Sequence, residues 1–505
     1  MNFEIWKLAE KLPSIERPIG KISLKEKAKW TVLILSLYFL MGSLIIWGID
    51  KGAVSHFQFL EVVFGSAMGS LITLGIGPIV TASIILQLLV GSKLINWNLQ
   101  DAADKAKFMG TQKILAILFC FIEGIAYVVG GAVPPAGGGA LMALAIIFQL
   151  ALGGIIIMYL DELSTKWGIG SGISLFIAAG VSKRIIIRIF SLPIKDSSGG
   201  IVATFISLLG QGNPIQATLS LLPLVSLIVV LLIVTFAQNL RVEIPLSFVL
   251  PFGKFASRRW PLKFIYTSNI PVILAAAVIA NLQVFGRIMY SKGISLFGTY
   301  DLSTGRPTGG LMFYLTSPQN YSLIVIVVLG ALIALLFAFL AIKTWRKNAF
   351  RFSVIGFIIG SIIGYLIVIS LSSLPELLLS DVIRSITYML AMIIGAIIFS
   401  KFWVMTSGMD AKSVASQFQS SAISIPGFRR DPRIIEKVLQ RYIPALTVMG
   451  GAFVGFLAGF ADLSSAIGSG TGILLTVMII QQMYDQIYQN HADEIPESIK
   501  KIMGD

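Results

Sequence analysis

The chain has 505 residues, of which 56% are hydrophobic and only 13% are charged, with a formal net charge of +14. This composition excludes a set of ordinary soluble domains, because no polar stretch is long enough to form one. The single cysteine, Cys120, excludes an intramolecular disulfide and a cysteine-cluster metal site, and two histidines disfavour a histidine-based one. We therefore expect a polytopic α-helical membrane protein that needs no metal or cofactor.

Twelve apolar segments follow one another along the chain, each long enough for a helix to cross the roughly 30 Å hydrocarbon core of a bilayer. The stretch before them, 1–29, is charged and amphipathic, which predicts a cytoplasmic segment and no cleavable signal peptide. The predicted spans are 30–48, 71–91, 111–130, 141–160, 171–190, 221–240, 270–289, 321–342, 353–373, 385–405, 443–460 and 471–488.

The distribution of positive charge predicts the orientation of these spans. If the N-terminus is cytoplasmic and the chain alternates, 30 of the 39 Lys and Arg residues fall on the cytoplasmic side. This is the bias expected for inner loops of membrane proteins. The high net charge is therefore mainly a signal of topology, although exposed basic loops are also able to meet RNA.

Two features inside the apolar segments exceed what a plain helix bundle needs. The stretch 57–70 is apolar and too short to span, which favours a re-entrant or interfacial helix over a simple loop. Pro78, near the outer end of the second span, and Pro271, near the inner end of the seventh, occupy corresponding places. They indicate either an inverted repeat around a central path or ordinary packed kinks.

Polar residues at mid-membrane depth are costly and point to function or to helix contacts. Glu123 lies in the third span, Thr81 and Gln87 in the second, and Asn281 in the seventh. Glu123 is open to two interpretations, a proton-coupling carboxylate and a clasp between helices. The sequence contains no motif typical of hydrolases, metalloproteases or P-loop proteins, so we do not expect an enzyme.

Several stretches of the sequence together carry a family resemblance. The motifs are LGIGPIVTASIILQLLVGS (74–92), GIGSGISLFIAAG (168–180), RVEIPLS (241–247), YTSNIPVILAAAVIAN (266–281), FWVMTSGMDAKSVA (402–415), PGFRR (426–430), QRYIPALTVMGGAFVGFLA (440–458) and GSGTGILLTV (468–477). In this order they resemble the archaeal form of the SecY family, the α subunit of the protein-conducting channel.

This resemblance implies an all-α polytopic fold with two pseudo-symmetric five-helix halves around an hourglass pore. Its waist would be a ring of apolar side chains, and the stretch 57–70 would be the plug that closes it. Branched apolar side chains disfavour a water column in a pore. The implied ring residues are Ile76, Val80, Ile173, Ile177, Ile273 and Leu475. The implied plug residues are Phe57, Leu60, Val63, Phe64 and Met68.

The resemblance also implies a lateral gate and a docking surface. Thr81, Glu123 and Asn281 would lie at the seam through which apolar segments enter lipid, and their hydrogen bonds would hold it shut. Two basic cytoplasmic loops, 241–265 and 406–442, would dock a ribosome. The implied docking residues are Arg258, Arg259, Arg429 and Arg430. Further partners would be small membrane subunits of the SecE/γ and Secβ types, signal peptides, nascent polypeptides and lipids, but no DNA.

The expected organisation departs from the family in one place, because the family has ten spans. The extra pair lies within 321–373 and predicts a peripheral two-helix hairpin. The predicted regions are a cytoplasmic segment 1–29, an N-terminal half 30–190, an outer loop 191–220, a C-terminal half 221–488 and a cytoplasmic tail 489–505.

The function that the resemblance implies is a passive channel in the cell membrane. It would translocate unfolded polypeptides and release membrane segments sideways into lipid, with both termini cytoplasmic. The competing hypothesis is an inverted-repeat secondary transporter of small solutes. A transporter should carry a mid-membrane cluster of ion and substrate ligands. The candidate ring is apolar instead, which favours the channel.

Overall fold

A computed structural model describes most of the chain, and every structural statement below refers to the described residues. They are 11–50, 61, 64–99, 101–137, 139–193, 199–238, 240–249, 255–267, 269–301, 306–318, 320–345, 349–370, 379–420, 423–424, 432–464, 470–491 and 494.

The N-terminal half is entirely helical apart from its connections. Its helices are α1 (Leu24–Ser43), α2 (Gly77–Gly91), α3 (Ala102–Val129), α4 (Ala140–Trp167) and α5 (Gly172–Phe190). The predicted outer loop that follows contains two short helices that the sequence did not indicate, α6 (Ile201–Gly210) and α7 (Pro214–Ser220).

The C-terminal half combines helices with short strands in its connections. In chain order its elements are α8 (Leu222–Gln238), β1 (Arg241–Val249), β2 (Phe255–Lys263), α9 (Ile270–Ser291), β3 (Thr299–Tyr300), β4 (Pro307–Gly309), α10 (Leu311–Tyr314), α11 (Tyr321–Trp345), α12 (Ala349–Ser370), α13 (Leu379–Thr406), α14 (Ala411–Ser420), β5 (Ile423–Ser424), α15 (Pro432–Leu463) and α16 (Gly470–His491).

Each of the twelve predicted spans overlaps one of these helices. Eight helices in the described ranges are long and apolar enough to cross a membrane. These are α3, α4, α8 together with α7, α9, α11, α12, α13 and α15. The fold is therefore that of a multi-pass helical membrane protein, as the lengths of the apolar segments predicted.

Several helices begin before or after the start of the predicted span, and two of these differences have local reasons. The first helix begins at Leu24 and not at 30, because the hydroxyl of Ser23 accepts a hydrogen bond from the Glu26 amide at 3.4 Å and caps the helix before its apolar part. The second begins at Gly77 and not at 71. Gly75 has a φ of +53°, which a right-handed helix cannot contain.

The two prolines that suggested kinks stand at helix starts instead. Pro78 lies in the first turn of α2 and Pro271 in the first turn of α9. A proline is tolerated there because the amide it lacks would have no helical partner. One helix of each half therefore starts in the same manner, which agrees with the inverted-repeat interpretation.

One large apolar core joins the two halves. It contains buried residues of α1, α2, α4 and α5 together with residues of α8, α9, α13, α15 and α16. A separate core next to the basic segments 241–265 and 406–442 includes Leu262, Val414 and Leu439. The halves thus meet around the region where the predicted ring lies.

The two basic segments predicted as independent loops join in one small sheet. Its strand order is β2-β1-β5, with β1 antiparallel to both neighbours. Ser247 pairs with Ser424 and Phe248 with Ile423, which connects the first basic segment to the second. The sequence analysis predicted loops and no strands here, although apolar and polar residues alternate over 241–248.

The extra hairpin is formed by α11 and α12. Its apolar contact with the rest of the protein is a small cluster of its own, in which Ala331 packs against Val229 of α8 and Phe460 of α15. The six predicted ring residues are described and belong to the large core instead. The hairpin is therefore attached to the outside of the C-terminal half.

Candidate functional site

The start of α2 places the first two ring candidates. The chain turns sharply at Gly75 and enters α2 immediately after Ile76. Ile76 and Val80 are buried, with 0% and 3% of their surfaces exposed. Since they are four residues apart at the start of one helix, they share a face.

The start of α5 is held by a carboxylate of α4. An oxygen of Asp161 accepts a hydrogen bond from the Ile173 amide at 2.8 Å. A side chain at Gly172 would place its Cβ only 2.5 Å from the Asp161 Cα, so only glycine permits this approach. Ile173 is half-buried and Ile177 is fully buried in the large core.

The last two ring candidates come from the C-terminal half. Ile273 lies in the first turn of α9 and Leu475 in the second turn of α16, and both are buried. The start of α16 is held by Asp462, which accepts hydrogen bonds from the Thr471 amide at 2.9 Å and from the Tyr388 hydroxyl at 2.7 Å.

The structure thus brings all six ring candidates into one apolar core. They come from four helices, two in each half, and all but Ile173 are fully buried. Because no charged group belongs to this set, the arrangement is suited to exclude water and ions and has no chemistry for catalysis.

The described part of the plug candidate lies directly against this ring. The Phe64 carbonyl accepts a hydrogen bond from the Ile76 amide at 2.9 Å, and the Phe64 side chain is only 2% exposed. Met68 is half-buried and packs against the same core. Phe57, Leu60 and Val63 lie outside the described residues.

The prediction of a helix reaching residue 70 was wrong. Residues 64–70 form turns, and both Gly65 and Gly69 have positive φ angles, of 55° and 79°. Such angles interrupt a right-handed helix, and the apolar composition of the segment alone does not predict them.

Sequence analysis missed four residues that hold this segment. The Tyr38 hydroxyl of α1 donates to the Gly65 carbonyl at 2.6 Å, and the Tyr38 ring stacks on Phe176 of α5 with centroids 4.9 Å apart. Glu61 forms an ion pair with Arg184 of α5 at 2.5 Å. One signal existed, since Arg184 is a charge in the outer part of a predicted span.

The three gate candidates contact one another. The Thr81 hydroxyl of α2 lies 2.8 Å from a Glu123 carboxylate oxygen of α3, and the Asn281 amide of α9 donates to that hydroxyl at 3.2 Å. Glu123 is 8% exposed. A Cβ at Gly77 would lie 2.9 Å from the carboxylate, so glycine makes the space for it.

Further contacts involve α2. The Gln112 amide of α3 donates to the Ser83 hydroxyl of α2 at 2.6 Å, which joins two helices on the same side of the seam. At the other end of α2, Gly91 lies against the Phe402 ring of α13, which leaves no room for a Cβ. Gln87, also singled out by its polarity, is buried in α2. The seam is closed in this structure.

The docking candidates are only partly described. Arg258 and Arg259 lie in β2, opposite Leu246 and Pro245 of β1. Arg429 and Arg430 lie outside the described residues. The sheet described above connects the two basic segments that carry these four arginines.

A half-buried tyrosine just after the first basic segment contacts the second one. The Tyr266 hydroxyl donates to the Met409 carbonyl at 2.8 Å. Burial, with a smaller contribution from Asp410, raises the pKa of Tyr266 to about 12, so its hydroxyl keeps its proton at neutral pH.

Comparison with known proteins gives one family. The model of the SecY family matches residues 70–484. The protein translocase subunit SecY of Methanocaldococcus jannaschii is 39% identical over 500 residues, which cover 98% of both chains. The same subunit of Methanococcus vannielii is 38% identical over 497 residues, again covering 98% of both.

Solved structures agree with the sequence relatives. A protein-conducting channel superposes with a TM-score of 0.77 at 40% identity, over 97% of both chains. A structure of SecY whose plug domain stabilises the closed state superposes with a TM-score of 0.75 at 40% identity, over 97% of both chains. Sec61 from the canine ribosome–channel complex superposes with a TM-score of 0.74 at 39% identity, again over 97% of both chains.

Proposed function

Since this chain belongs to the SecY family of protein translocase subunits, we propose that its apolar ring is the constriction through which unfolded polypeptides cross the membrane. The chain is the channel-forming subunit of a Sec translocon. The observation that carries the assignment of the ring is the convergence of six apolar residues, from two helices of each half, on one buried core.

The ring works as a seal because it is apolar and deformable. A narrow apolar constriction disfavours a continuous water column, so ions cannot follow. The side chains come from separate helices, and small helix movements widen the ring around a passing chain without breaking any hydrogen bond. A polar ring would retain water in the constriction, and ions would leak through it.

The segment 57–70 acts as the plug in this proposal. Its described part is bonded to the ring at Ile76 and anchored by Tyr38. A related SecY has a plug domain that stabilises the closed state and maintains a membrane seal, and we extend that role to this segment.

The seam between α2 and α3 on one side and α9 and α13 on the other acts as the lateral gate. Glu123, Thr81 and Asn281 join α2, α3 and α9 through two hydrogen bonds that a signal peptide is able to replace. Between the two interpretations of Glu123, this geometry favours the clasp, because its carboxylate lies against a neighbouring helix. Opening of the seam would release apolar segments into lipid.

The sheet β2-β1-β5 and its flanking basic segments form the docking surface for a ribosome. A canine Sec61 of similar fold was solved in a ribosome–channel complex. Reversing charge in Arg258→Glu/Arg259→Glu or in Arg429→Glu should weaken ribosome binding, because each lost charged hydrogen bond is worth about 1.5–3 kcal/mol. Unchanged co-sedimentation across a salt series would remove these residues from the interface.

We also propose the cellular context of the channel. The charge bias supports cytoplasmic termini in the cell membrane. Small membrane subunits of the SecE/γ and Secβ types would complete the complex. Co-purification from membranes with two such small subunits tests this, and recovery of the chain alone under mild detergent would argue against it.

The ring and plug assignments are tested by resting ion leak. Deleting residues 57–68, or replacing Ile76 and Ile273 with Gly, should raise the ion conductance of reconstituted bilayers, because a wider waist stays wet. Ile157→Gly is the matched control, since Ile157 is equally buried in the same core but lies on α4 outside the ring. Conductance equal to wild type in both test variants would refute the assignments.

A further inference from the structure

One face of α5 runs from the ring to the plug. Ile173, Ile177, Gly180 and Arg184 are spaced four, three and four residues apart, so they lie in one row along the helix. The first two belong to the ring. A Cβ at Gly180 would meet the Tyr38 hydroxyl at 3.2 Å and the Gly65 Cα at 3.7 Å, so this position lies against the plug.

Arg184 ends this row with an ion pair to the plug. Its guanidinium lies 2.5 Å from a carboxylate oxygen of Glu61, and the two side chains are 26% and 14% exposed. A partly buried pair of this kind is screened by salt less than an exposed pair. Arg184 also runs against the charge bias of the chain, which concentrates Lys and Arg on the cytoplasmic side. A cation at this place therefore calls for a specific role.

Glu61 connects Arg184 to the fold of the plug itself. Its second carboxylate oxygen accepts a hydrogen bond from the Met68 amide at 3.2 Å, and its carbonyl accepts one from the Ser66 amide at 2.9 Å. The turns that end at the ring are thus organised by the same residue that binds α5. Movement of the plug away from the ring has to stretch or break the ion pair.

A cavity beside the pair makes this contact reversible. The cavity has a volume of about 160 Å³, and its polar lining includes Glu61, Ser66, Lys183 and Arg184. A polar space of this size has room for water. Water in it would solvate the two charges when they separate, which lowers the desolvation penalty that otherwise makes a broken buried pair so costly.

We propose that the Glu61–Arg184 ion pair is a latch that sets how often the plug leaves the resting pore. The proposal rests on the assignment of 57–70 as the plug and adds the contact that regulates it. The latch joins the plug to the helix that supplies two ring residues. Widening of the ring by movement of α5 would therefore pull directly on the plug.

The test is single-channel recording of the complete purified complex in planar bilayers at one fixed salt concentration. Glu61→Gln and Arg184→Gln should each raise the frequency of resting openings about tenfold, equivalent to 1.4 kcal/mol. The exchanged pair Glu61→Arg/Arg184→Glu should return the frequency toward wild type. Arg184→Lys, which keeps the charge, should give an intermediate value.

Two controls separate the latch from its premise. Arg188→Gln removes an exposed charge one turn further along α5 and should leave the frequency unchanged. The deletion of 57–68 should leak more than any latch variant. If that deletion does not leak, the plug assignment fails and the latch fails with it.

If the deletion leaks while Arg184→Gln behaves as wild type, the latch alone is overturned. Leak in both single variants without recovery in the exchanged pair also overturns it, because each residue would then act through other contacts. Should Glu61→Gln assemble poorly, Arg184→Lys and Arg184→Gln still decide the question, since neither alters the plug segment.

Discussion

Two helix interfaces of the molecule are built in opposite ways. The gate seam is the interface of α2 with its neighbours at the proposed gate, and the hairpin seam is the interface between α11 and α12. Between α2 and its neighbours, the contacts include two hydrogen bonds that Thr81 makes with Glu123 and Asn281. Between α11 and α12, the backbones approach so closely that a Cβ at Gly360 would lie 2.6 Å from the Leu329 carbonyl oxygen. Hydrogen bonds between membrane helices average only about 0.6 kcal/mol.

The difference corresponds to what each seam has to do. A few polar contacts are easily exchanged for those of an incoming peptide, so the gate is able to open and close again. The glycines of α12 recur every four residues, at 356, 360 and 364, and each lies against the α11 backbone. Such close packing of backbones favours helix association in lipid, so the hairpin is expected to stay closed.

The largest expected effect is in a labelling experiment that tests whether the hairpin crosses the membrane. Its connector contains Asn348, which lies outside the described residues, and four nearby basic residues that predict a cytoplasmic position. In a Cys120→Ala background, Asn348→Cys should react with a membrane-impermeant thiol reagent in inverted vesicles and not in intact cells. Labelling in intact cells would contradict the prediction that the hairpin crosses the membrane twice. It would indicate that the hairpin lies on the outer membrane surface.

Next in size is the effect of a side chain in the hairpin seam. Gly360→Leu should separate α11 from α12 at a cost of about 1–3 kcal/mol or more, because the new side chain has no space. Partial proteolysis of the hairpin in detergent should become faster, while resting conductance stays as in wild type. Gly210→Leu in α6 is the control, since no atom lies within 4 Å of a Cβ built there.

A hairpin variant that leaks would contradict the separation of the two seams. Equal protease resistance in Gly360→Leu would show that the close approach contributes little to the hairpin.

The smallest expected effect belongs to the gate. Asn281→Leu removes the donor to Thr81, which should shift the hydrophobicity threshold for membrane insertion by about 0.6 kcal/mol. The measurement is the insertion efficiency of a graded series of test segments. Gln283→Leu is the matched control, because Gln283 lies on the same helix but donates to Thr316 of the outer connection. A threshold that does not move would make the polar cluster purely structural.

These regions also differ in how well the sequence predicted them. The twelve spans follow from length and hydropathy, and each overlaps a helix, because burial in lipid acts on every residue of a span. The resemblance named Thr81, Glu123 and Asn281, and the structure places them in contact. Thr81 and Asn281 lie within motifs that carry the family resemblance, and Glu123 was identified because a carboxylate at mid-membrane depth is energetically costly.

Features that depend on long-range contacts could not be predicted in this way. The strand pairing of Ser247 with Ser424 joins segments far apart in the chain. The alternation of apolar and polar residues over 241–248 is typical of a strand, but it does not say which segment the strand pairs with. The ion pair of Glu61 with Arg184 likewise joins two separate segments. The turns at Gly65 and Gly69 were hidden by an apolar composition that is compatible with a helix.

The central claim is that polypeptides cross through the apolar ring and not beside the hairpin. A photocrosslinking residue at Ile177 should react with a chain arrested during translocation, whereas one at Ile363, exposed on α12, should not. Crosslinks from Ile177 alone are the predicted result. Crosslinks from Ile363 of equal yield, or none from Ile177 with a chain shown to be arrested in the channel, would contradict the assignment.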